Sequence, residues 1–310
     1  MIKKTLCFSN PAYLSLRNEQ LEIRLPEVEN NKTLPELIKS EAVRTIPIED
    51  IGVIILDHKQ ITITQALMAK LLDNNSAVIT CNDQHLPLGL FLTLSGNITQ
   101  SERFHVQIDA SQPLKKQLWQ QTVQYKIRNQ AALLSMYNDT VVKNMYVWAD
   151  SVRSGDADNM EARAAVYYWR NIFPEVSGFF RNSEGMPPNN LLNYGYAILR
   201  AIVARSLVAS GLLPTLGIHH HNKYNAYCLA DDIMEPYRPF VDKKVKEIIS
   251  IGNDFSELTT TIKRELLTIP TDEVIINGHH SPLMIAVSQT TASLYKCFSG
   301  ELRKIVYPEM

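Results

Sequence analysis

Residues 109–134 read DASQPLKKQLWQQTVQYKIRNQAALL, and the pattern of apolar residues changes within this stretch. Residues 109–113 interrupt the preceding pattern. After them, apolar side chains recur every three to five positions, as at Leu118, Val123 and Ile127. This spacing predicts a long helix. The stretch therefore marks the start of a helical region that differs from the residues before it.

The residues before this stretch predict β-structure. Residues 21–25 alternate apolar and polar side chains, as a half-buried strand does, and the apolar runs at 53–56 and 77–81 predict buried strands. One helix is predicted between them, over residues 65–72. Short strands between turn residues, with one inserted helix, indicate a compact β-rich domain.

The region after the stretch predicts helices only. A second long helix is expected from about Leu191 to Ser210, with Asn189 and Asn190 capping its start and Gly211 ending it. The predicted fold class is therefore α+β: a small N-terminal β-rich domain at 1–105 and a larger all-α domain at 106–310. A chain of 310 residues is long enough for two domains.

Composition excludes several classes of protein. The net charge is −1, which excludes binding of nucleic acid by bulk positive charge but not by a local basic groove. The four cysteines are far apart and form no CxxC pair, so neither a zinc framework nor a disulfide scaffold is expected. The longest aliphatic run, at 53–56, is too short to span a membrane. We expect a cytoplasmic protein without membrane contact.

A polar cluster follows the second long helix. His219, His220 and His221 are adjacent, and Asp232 and Glu235 are three residues apart, which places both carboxylates on one face of a helical turn. Two carboxylates and an imidazole can bind a divalent cation, and the imidazole favours Mn²⁺ over Mg²⁺. The alternatives are a solvated histidine loop and acidic residues that complement a helix N-terminus.

Glu161 is the candidate for a third acidic ligand. It lies in NMEARAAVYYW at residues 159–169, where small side chains let another helix or a nucleic-acid backbone approach closely. The alternative is a surface glutamate paired with Arg163 or Arg170. Periodicity does not decide between the two.

Motifs along the chain resemble a known family, the CRISPR-associated adaptation integrases, and members from type II systems most of all. The motifs are ITCNDQHLP at 79–87, N-x-E-x-x-A-A-x-x-Y at 159–168, LNYGY at 192–196, GIHH at 217–220 and DIMEPYRP at 232–239. Ala162 and Trp169 stand where relatives usually have glycine and phenylalanine, and both keep the local character.

The resemblance implies a metal-dependent DNA endonuclease and integrase. Such a protein inserts short DNA fragments as new spacers into a CRISPR array, by attack of a DNA 3′-hydroxyl on a phosphodiester. It implies that Glu161, His220 and Glu235 are catalytic and bind Mn²⁺ or Mg²⁺. Asp232 matches another acidic position of the family, and it either binds the metal directly or orients a ligand.

The resemblance also implies DNA contacts and partners. Arg163, Asn193, Tyr194 and Arg238 are predicted to contact DNA, with ordinary helix packing or surface charge as the alternative. The expected partners are a prespacer duplex, the CRISPR repeat and a small companion adaptation protein. A second copy joined through the N-terminal domains to form a homodimer is also expected, as are the effector and accessory proteins of type II systems.

Two other functions stay open from the sequence. One is a metal-dependent nuclease that cuts branched DNA without integration, in which water attacks instead of a 3′-hydroxyl. The other is a non-catalytic DNA-binding scaffold, which would not need Glu161, His220 and Glu235 together. A zinc hydrolase is disfavoured, because no HExxH pattern is present.

Overall fold

The computed structural model describes residues 2–137, 142–252 and 254–310. The chain divides into two compact units, residues 1–94 and 95–310. The boundary predicted at 105/106 would cut through helix α4 (Gln100–Ile108), which lies entirely within the second unit.

The first unit contains two sheets and short helices. Its strands are β1 (Lys4–Phe8), β2 (Ala12–Arg17), β3 (Gln20–Arg24), β4 (Arg44–Pro47), β5 (Ile51–Leu56), β6 (Ile61–Ile63), β7 (Ala77–Cys81) and β8 (Pro87–Phe91). Its helices are α1 (Pro26–Glu29), α2 (Glu36–Ala42) and α3 (Gln65–Asp73). The strand orders are β1-β5-β7-β8 and β4-β3-β2-β6. The strands predicted at 21–25, 53–56 and 77–81 and the helix at 65–72 are confirmed.

The strand order explains why β5 is almost entirely apolar. It pairs in parallel with β1 on one side and β7 on the other, and residues 51–55 are buried. Ile51 and Ile54 belong to a core that also includes Leu14 and Leu21 of the second sheet and Leu67 of α3. Strands with both faces covered read as continuous apolar runs.

Over its described residues, the second unit consists of helices and one short hairpin. After α4 its helices are α5 (Gln112–Tyr137), α6 (Lys143–Ser151), α7 (Met160–Asn171), α8 (Asn189–Ala209), α9 (Cys228–Met234), α10 (Arg238–Ser250), α11 (Thr260–Leu266) and α12 (Leu283–Phe298). Strands β9 (Glu273–Ile276) and β10 (His279–Pro282) form the hairpin. The predicted order of a strand-rich and then a helical region is confirmed, with this hairpin as an addition to the all-α prediction.

Helix α8 is the central helix of this unit. By length and composition it could cross a membrane, but most of it is buried among its neighbours, as in the core of a globular domain. Its predicted start is wrong in one detail. Asn189 and Asn190 are its first two residues, and the capping position is Pro188, without a side-chain hydrogen bond. Gly211 ends the helix as predicted, with φ of +71° and its amide donating to the carbonyl of Val208.

Helix α5 connects distant parts of the second unit. Its 26 residues span about 39 Å at 1.5 Å per residue. One turn beyond Lys126, the Asn129 side-chain amide donates to the carbonyls of Pro236, at 2.8 Å, and Pro308, at 3.0 Å. The same side chain accepts from the backbone of Met310. Asn129 therefore ties α5 to the turn after α9 and to residues 308–310.

Candidate active site

The N-terminus of α7 places Glu161. The carboxylate of Asp156 accepts hydrogen bonds from the backbone amides of Met160, at 2.9 Å, and Glu161, at 3.0 Å. These amides have no partner within their own helix, so Asp156 fixes where α7 begins. Glu161 lies in its first turn, with its side chain about one-fifth exposed.

Asp232 organises the loop that carries the histidines. Its side chain is fully buried in α9. It accepts hydrogen bonds from the backbone amides of Ile218, at 2.7 Å, His219, at 2.9 Å, and His220, at 3.3 Å. It also bonds the imidazole Nδ1 of His220 at 2.5 Å. Its oxygens are thus committed to the loop, which supports the orienting role over direct metal binding.

Glycine is required where this loop starts. A Cβ on Gly217 would lie 2.4 Å from the carbonyl oxygen of His220 and 2.8 Å from Oδ2 of Asp232. Neither atom can retreat easily, since one is backbone and the other is held by amides. The GIHH motif is therefore a tight loop wrapped around the Asp232 carboxylate.

Trp119 of α5 supports the other side of the loop. The ring of His219 stacks on Trp119 with centroids 4.1 Å apart and planes within 3°, and His220 meets Trp119 edge-on at 5.5 Å. Burial, with a further contribution from His220, lowers the pKa of His219. His220 differs, because the hydrogen bond to Asp232 raises its pKa. His219 thus packs against Trp119, whereas His220 is held through its Nδ1 by Asp232.

Glu235 lies at the turn between α9 and α10. It begins a 3-10 turn, Glu235–Tyr237, and is buried. Its Oε1 accepts from Nε of Arg238 at 2.9 Å, and its Oε2 lies 2.6 Å from Nζ of Lys126. Burial alone would raise the pKa of the Glu235 carboxyl, but Arg238 and Lys126 outweigh it and lower the pKa to about 2. Glu235 is therefore an ionised carboxylate at neutral pH.

Lys126 joins the two glutamates. Its Nζ donates to Oε1 of Glu161 at 2.6 Å and lies the same distance from Oε2 of Glu235. Burial would lower the pKa of Lys126, but the two carboxylates overcome this and raise it. Glu161 thus pairs with Lys126, and not with Arg163 or Arg170, the two partners considered from the sequence.

The donor set fits a divalent cation. Among the described residues, no group of three or more His, Cys, Asp or Glu side chains stands in a metal-holding arrangement as it is. Yet Glu161 and Glu235 already converge on one cationic atom, and Oε2 of Glu235 is buried without a hydrogen bond of acceptable geometry. Both carboxylates also help to raise the pKa of His220, so the imidazole lies within their electrostatic range. Two carboxylates and one imidazole suit Mn²⁺ or Mg²⁺.

A cleft opens beside His220. It has a volume of about 460 Å³ and is lined by Lys115, His221, Lys223 and Asn225 among others. His221 and Lys223 are exposed. A polyanion entering this cleft would meet basic side chains next to the histidine loop.

The four residues predicted to contact DNA have different surroundings. Arg163 is exposed on α7, with its guanidinium over the ring of Trp148. The Asn193 side chain accepts from Arg181 and donates to the carbonyl of Ser183. Arg238 forms an ion pair with Glu235. It therefore belongs to the carboxylate cluster, which consists of Glu161, Glu235, Lys126 and Arg238.

Tyr194 requires a correction. It is completely buried in α8, which excludes the predicted DNA contact in this structure. The residue belongs to the core because that helix has neighbours on nearly every side.

Two residues of the site, Lys126 and Trp119, were not predicted from the sequence. Lys126 follows Trp119 by seven positions and Val123 by three, so all three share one face of α5. A lysine on the buried face of a helix needs a carboxylate partner, and that was the available signal. Trp119 carries no comparable signal, since a tryptophan on an apolar face is ordinary core.

Comparison with known proteins agrees with the motifs. The family model described as CRISPR associated protein Cas1 matches residues 6–257. The CRISPR-associated endonuclease Cas1 of Neisseria meningitidis serogroup C (strain 8013) is 36% identical over 294 residues, which cover 94% of this chain and 91% of that protein. The CRISPR-associated endonuclease Cas1 2 of Pyrobaculum aerophilum is 30% identical over 67% of this chain and 74% of its own.

Solved structures share the fold. A casposase bound to integration product superposes with a TM-score of 0.75 at 19% identity, covering 97% of this chain and 92% of its own. A Cas1 protein from Thermotoga maritima gives a TM-score of 0.73 at 14% identity, over 96% and 97% of the two chains. Because the family model and the Neisseria relative each span most of the sequence, the chain belongs to the CRISPR-associated Cas1 family.

Proposed function

We propose that this protein is a metal-dependent DNA integrase and endonuclease that inserts short DNA fragments as new spacers into a CRISPR array. The observation that carries the proposal is the convergence on one cation of Glu161, in the first turn of α7, and Glu235, at the turn between α9 and α10, together with a histidine oriented by Asp232. The relatives named as CRISPR-associated endonucleases support the nuclease activity. The casposase neighbour, bound to integration product, supports joining as the outcome.

The proposed metal ligands are Glu161, Glu235 and Nε2 of His220, with Mn²⁺ or Mg²⁺ as the metal. Bound there, a divalent cation would supply Lewis-acid polarisation of the scissile phosphate. Asp232 bonds Nδ1 of His220, which fixes the orientation of the imidazole ring and leaves Nε2 as the nitrogen proposed to bind the metal. Gly217 and Trp119 fix the loop around it.

Positive side chains complete the proposed mechanism. Arg238 keeps Glu235 ionised and lies beside the carboxylates, where it can contact a phosphate oxygen. Lys115 and Lys223 line the neighbouring cleft, and we propose that they contact the DNA backbone. A 3′-hydroxyl of the incoming DNA attacks the phosphorus and the former ester oxygen leaves, so no protein nucleophile is required.

The proposed partners are those suggested by relatives and neighbours. A structural neighbour is a Cas6-RT-Cas1–Cas2 complex, so we propose a small companion protein of the Cas2 kind for this chain. The proposal includes a homodimer formed through the N-terminal unit, prespacer and repeat DNA as substrates, and the cytoplasm as its location. The effector and accessory proteins of type II systems are proposed as further partners.

The test is strand cleavage and joining on labelled branched and repeat-containing DNA with Mn²⁺ and the companion protein. We expect joined products with the unchanged protein and none with Glu161→Ala. The exposed Glu257→Ala variant is the matched control, and we expect it to join DNA normally. Cleavage without joining would favour the nuclease on branched DNA. DNA binding without cleavage or joining by the unchanged protein would favour the scaffold.

A further inference from the structure

The central cation of the carboxylate cluster is supplied by the protein itself. Nζ of Lys126 lies 2.6 Å from an oxygen of Glu161 and 2.6 Å from an oxygen of Glu235, and the lysine side chain is about one-tenth exposed. Without it, the carboxylates of Glu161 and Glu235, which come from distant parts of the chain, would face each other in a largely buried space. Like charges at such distances repel strongly when water is scarce.

The position of Lys126 is held from both ends. Asn129, one turn along α5, donates to the carbonyl of Pro236, which directly follows Glu235. Two turns before Lys126, Trp119 packs against the histidine loop. The helix that carries the ammonium is therefore anchored both to the Glu235 turn and to the His220 loop, which keeps the cation at the point where the ligands converge.

The charge count shows what this cation does. Glu161 and Glu235 contribute two negative charges, and Lys126 and Arg238 contribute two positive charges in direct contact with them. The cluster is balanced before any metal is bound. A divalent cation that takes the oxygens contacted by Nζ of Lys126 has to displace the ammonium from them, and a cation bound to the other carboxylate oxygens would still be repelled by the ammonium.

We propose that Lys126 is a positioning residue that keeps the two metal-binding glutamates together before metal enters and competes with the metal for the same carboxylate oxygens. This inference rests on the proposed metal site. It assigns to the lysine two effects of opposite sign. The lysine stabilises the metal-free protein, and it weakens metal binding. General damage to the fold would instead lower both stability and metal affinity, so the two explanations differ in sign.

The experiment measures Mn²⁺ binding by electron paramagnetic resonance, and thermal unfolding with and without Mn²⁺, using the full-length chain. Lys126→Met keeps the length and apolar stem of the side chain but removes the charge. We expect it to bind Mn²⁺ at least about tenfold more tightly, because a unit positive charge beside a divalent ion is removed. We also expect a lower melting temperature without metal and a larger rise on adding Mn²⁺ than for the unchanged protein.

Control variants separate the possible outcomes. Lys126→Arg retains the charge and is expected to bind Mn²⁺ within a few-fold of the unchanged protein. Lys126→Gln, a smaller neutral change, is expected to behave like Lys126→Met if that variant folds poorly. Equal or weaker Mn²⁺ binding by folded Lys126→Met and Lys126→Gln overturns the inference. The proposed metal site itself is checked by Glu161→Ala, which is expected to abolish Mn²⁺ binding. If the unchanged protein and the neutral variants all fail to bind Mn²⁺, the metal site and the inference both fall.

Discussion

Replacing Asp232 tests how the histidine is presented. This buried carboxylate accepts three backbone amides and the imidazole of His220, so Asp232→Ala leaves four donors without their acceptor. A buried donor left unsatisfied costs about 1 to 3 kcal/mol. Ile218 is buried, whereas His219 and His220 are exposed enough for water to replace part of the loss. We therefore expect a loss of about 3 kcal/mol in the free energy of unfolding, measured with urea.

The same substitution is expected to weaken Mn²⁺ binding about 10- to 100-fold, the usual effect of losing a residue that orients a metal-bound histidine. A double-mutant cycle with His220→Ala separates orientation from direct ligation. If Asp232 acts only through the loop, its replacement has little further effect on Mn²⁺ affinity once His220 is gone. An equal additional loss in the His220→Ala background would mean that Asp232 binds the metal itself, and would refute the orienting role.

Three further substitutions probe the packing around the site and one buried acid. Gly217→Ala is expected to cost about 1 to 3 kcal/mol of stability in urea unfolding, because its Cβ would contact the His220 carbonyl at 2.4 Å; unchanged stability would contradict this. Burial raises the pKa of the Asp242 carboxyl from an ordinary 3.8 to about 6, although hydrogen bonds from two tyrosine hydroxyls lower it. The protonated carboxyl therefore stabilises the folded protein fully below about pH 4. This stabilisation falls by about 3 kcal/mol as the pH rises through 6. Between pH 4.5 and 7, the free energy of unfolding in urea is expected to fall less for Asp242→Asn than for the unchanged protein. Equal falls for the two proteins would contradict the raised pKa of Asp242. Trp119→Leu removes the ring stacked on His219 and is expected to lower Mn²⁺ affinity several-fold while the protein stays folded by circular dichroism; unaltered affinity would show that the stack does not support the loop.

The local sequence pattern was sufficient to predict those helices and strands whose structure follows from the burial of their apolar side chains. The continuous apolar run of β5 and the helical spacing along α5 predict their structures because burial alone decides them. The hairpin of β9 and β10 was not predicted. It is only four residues long on each side, and His279 and His280 carry no strand signal.

The site residues that lie in sequence motifs were predicted. The residues that join the site only through tertiary contacts were missed. The motifs led to Glu161, His220 and Glu235, and the structure brings the two glutamates to one cation, while Asp232 fixes the imidazole of His220. Lys126 was missed because α5 mixes polar and apolar residues along its buried side, so the sequence pattern does not show that this lysine is buried between carboxylates. These partners lie 35 and 109 positions further along the chain, beyond the reach of local periodicity.

Helix α5 also sets which changes of chain length the protein can accept. Trp119, Lys126 and Asn129 lie on one rigid helix, so deleting a single residue between the first two would turn the ammonium by about 100° away from the glutamates. A loop could absorb such a change, but a packed helix cannot. Insertions and deletions among relatives are therefore expected before Trp119 or after Asn129, and an alignment that opens a gap between them would misassign the helix that carries the central cation.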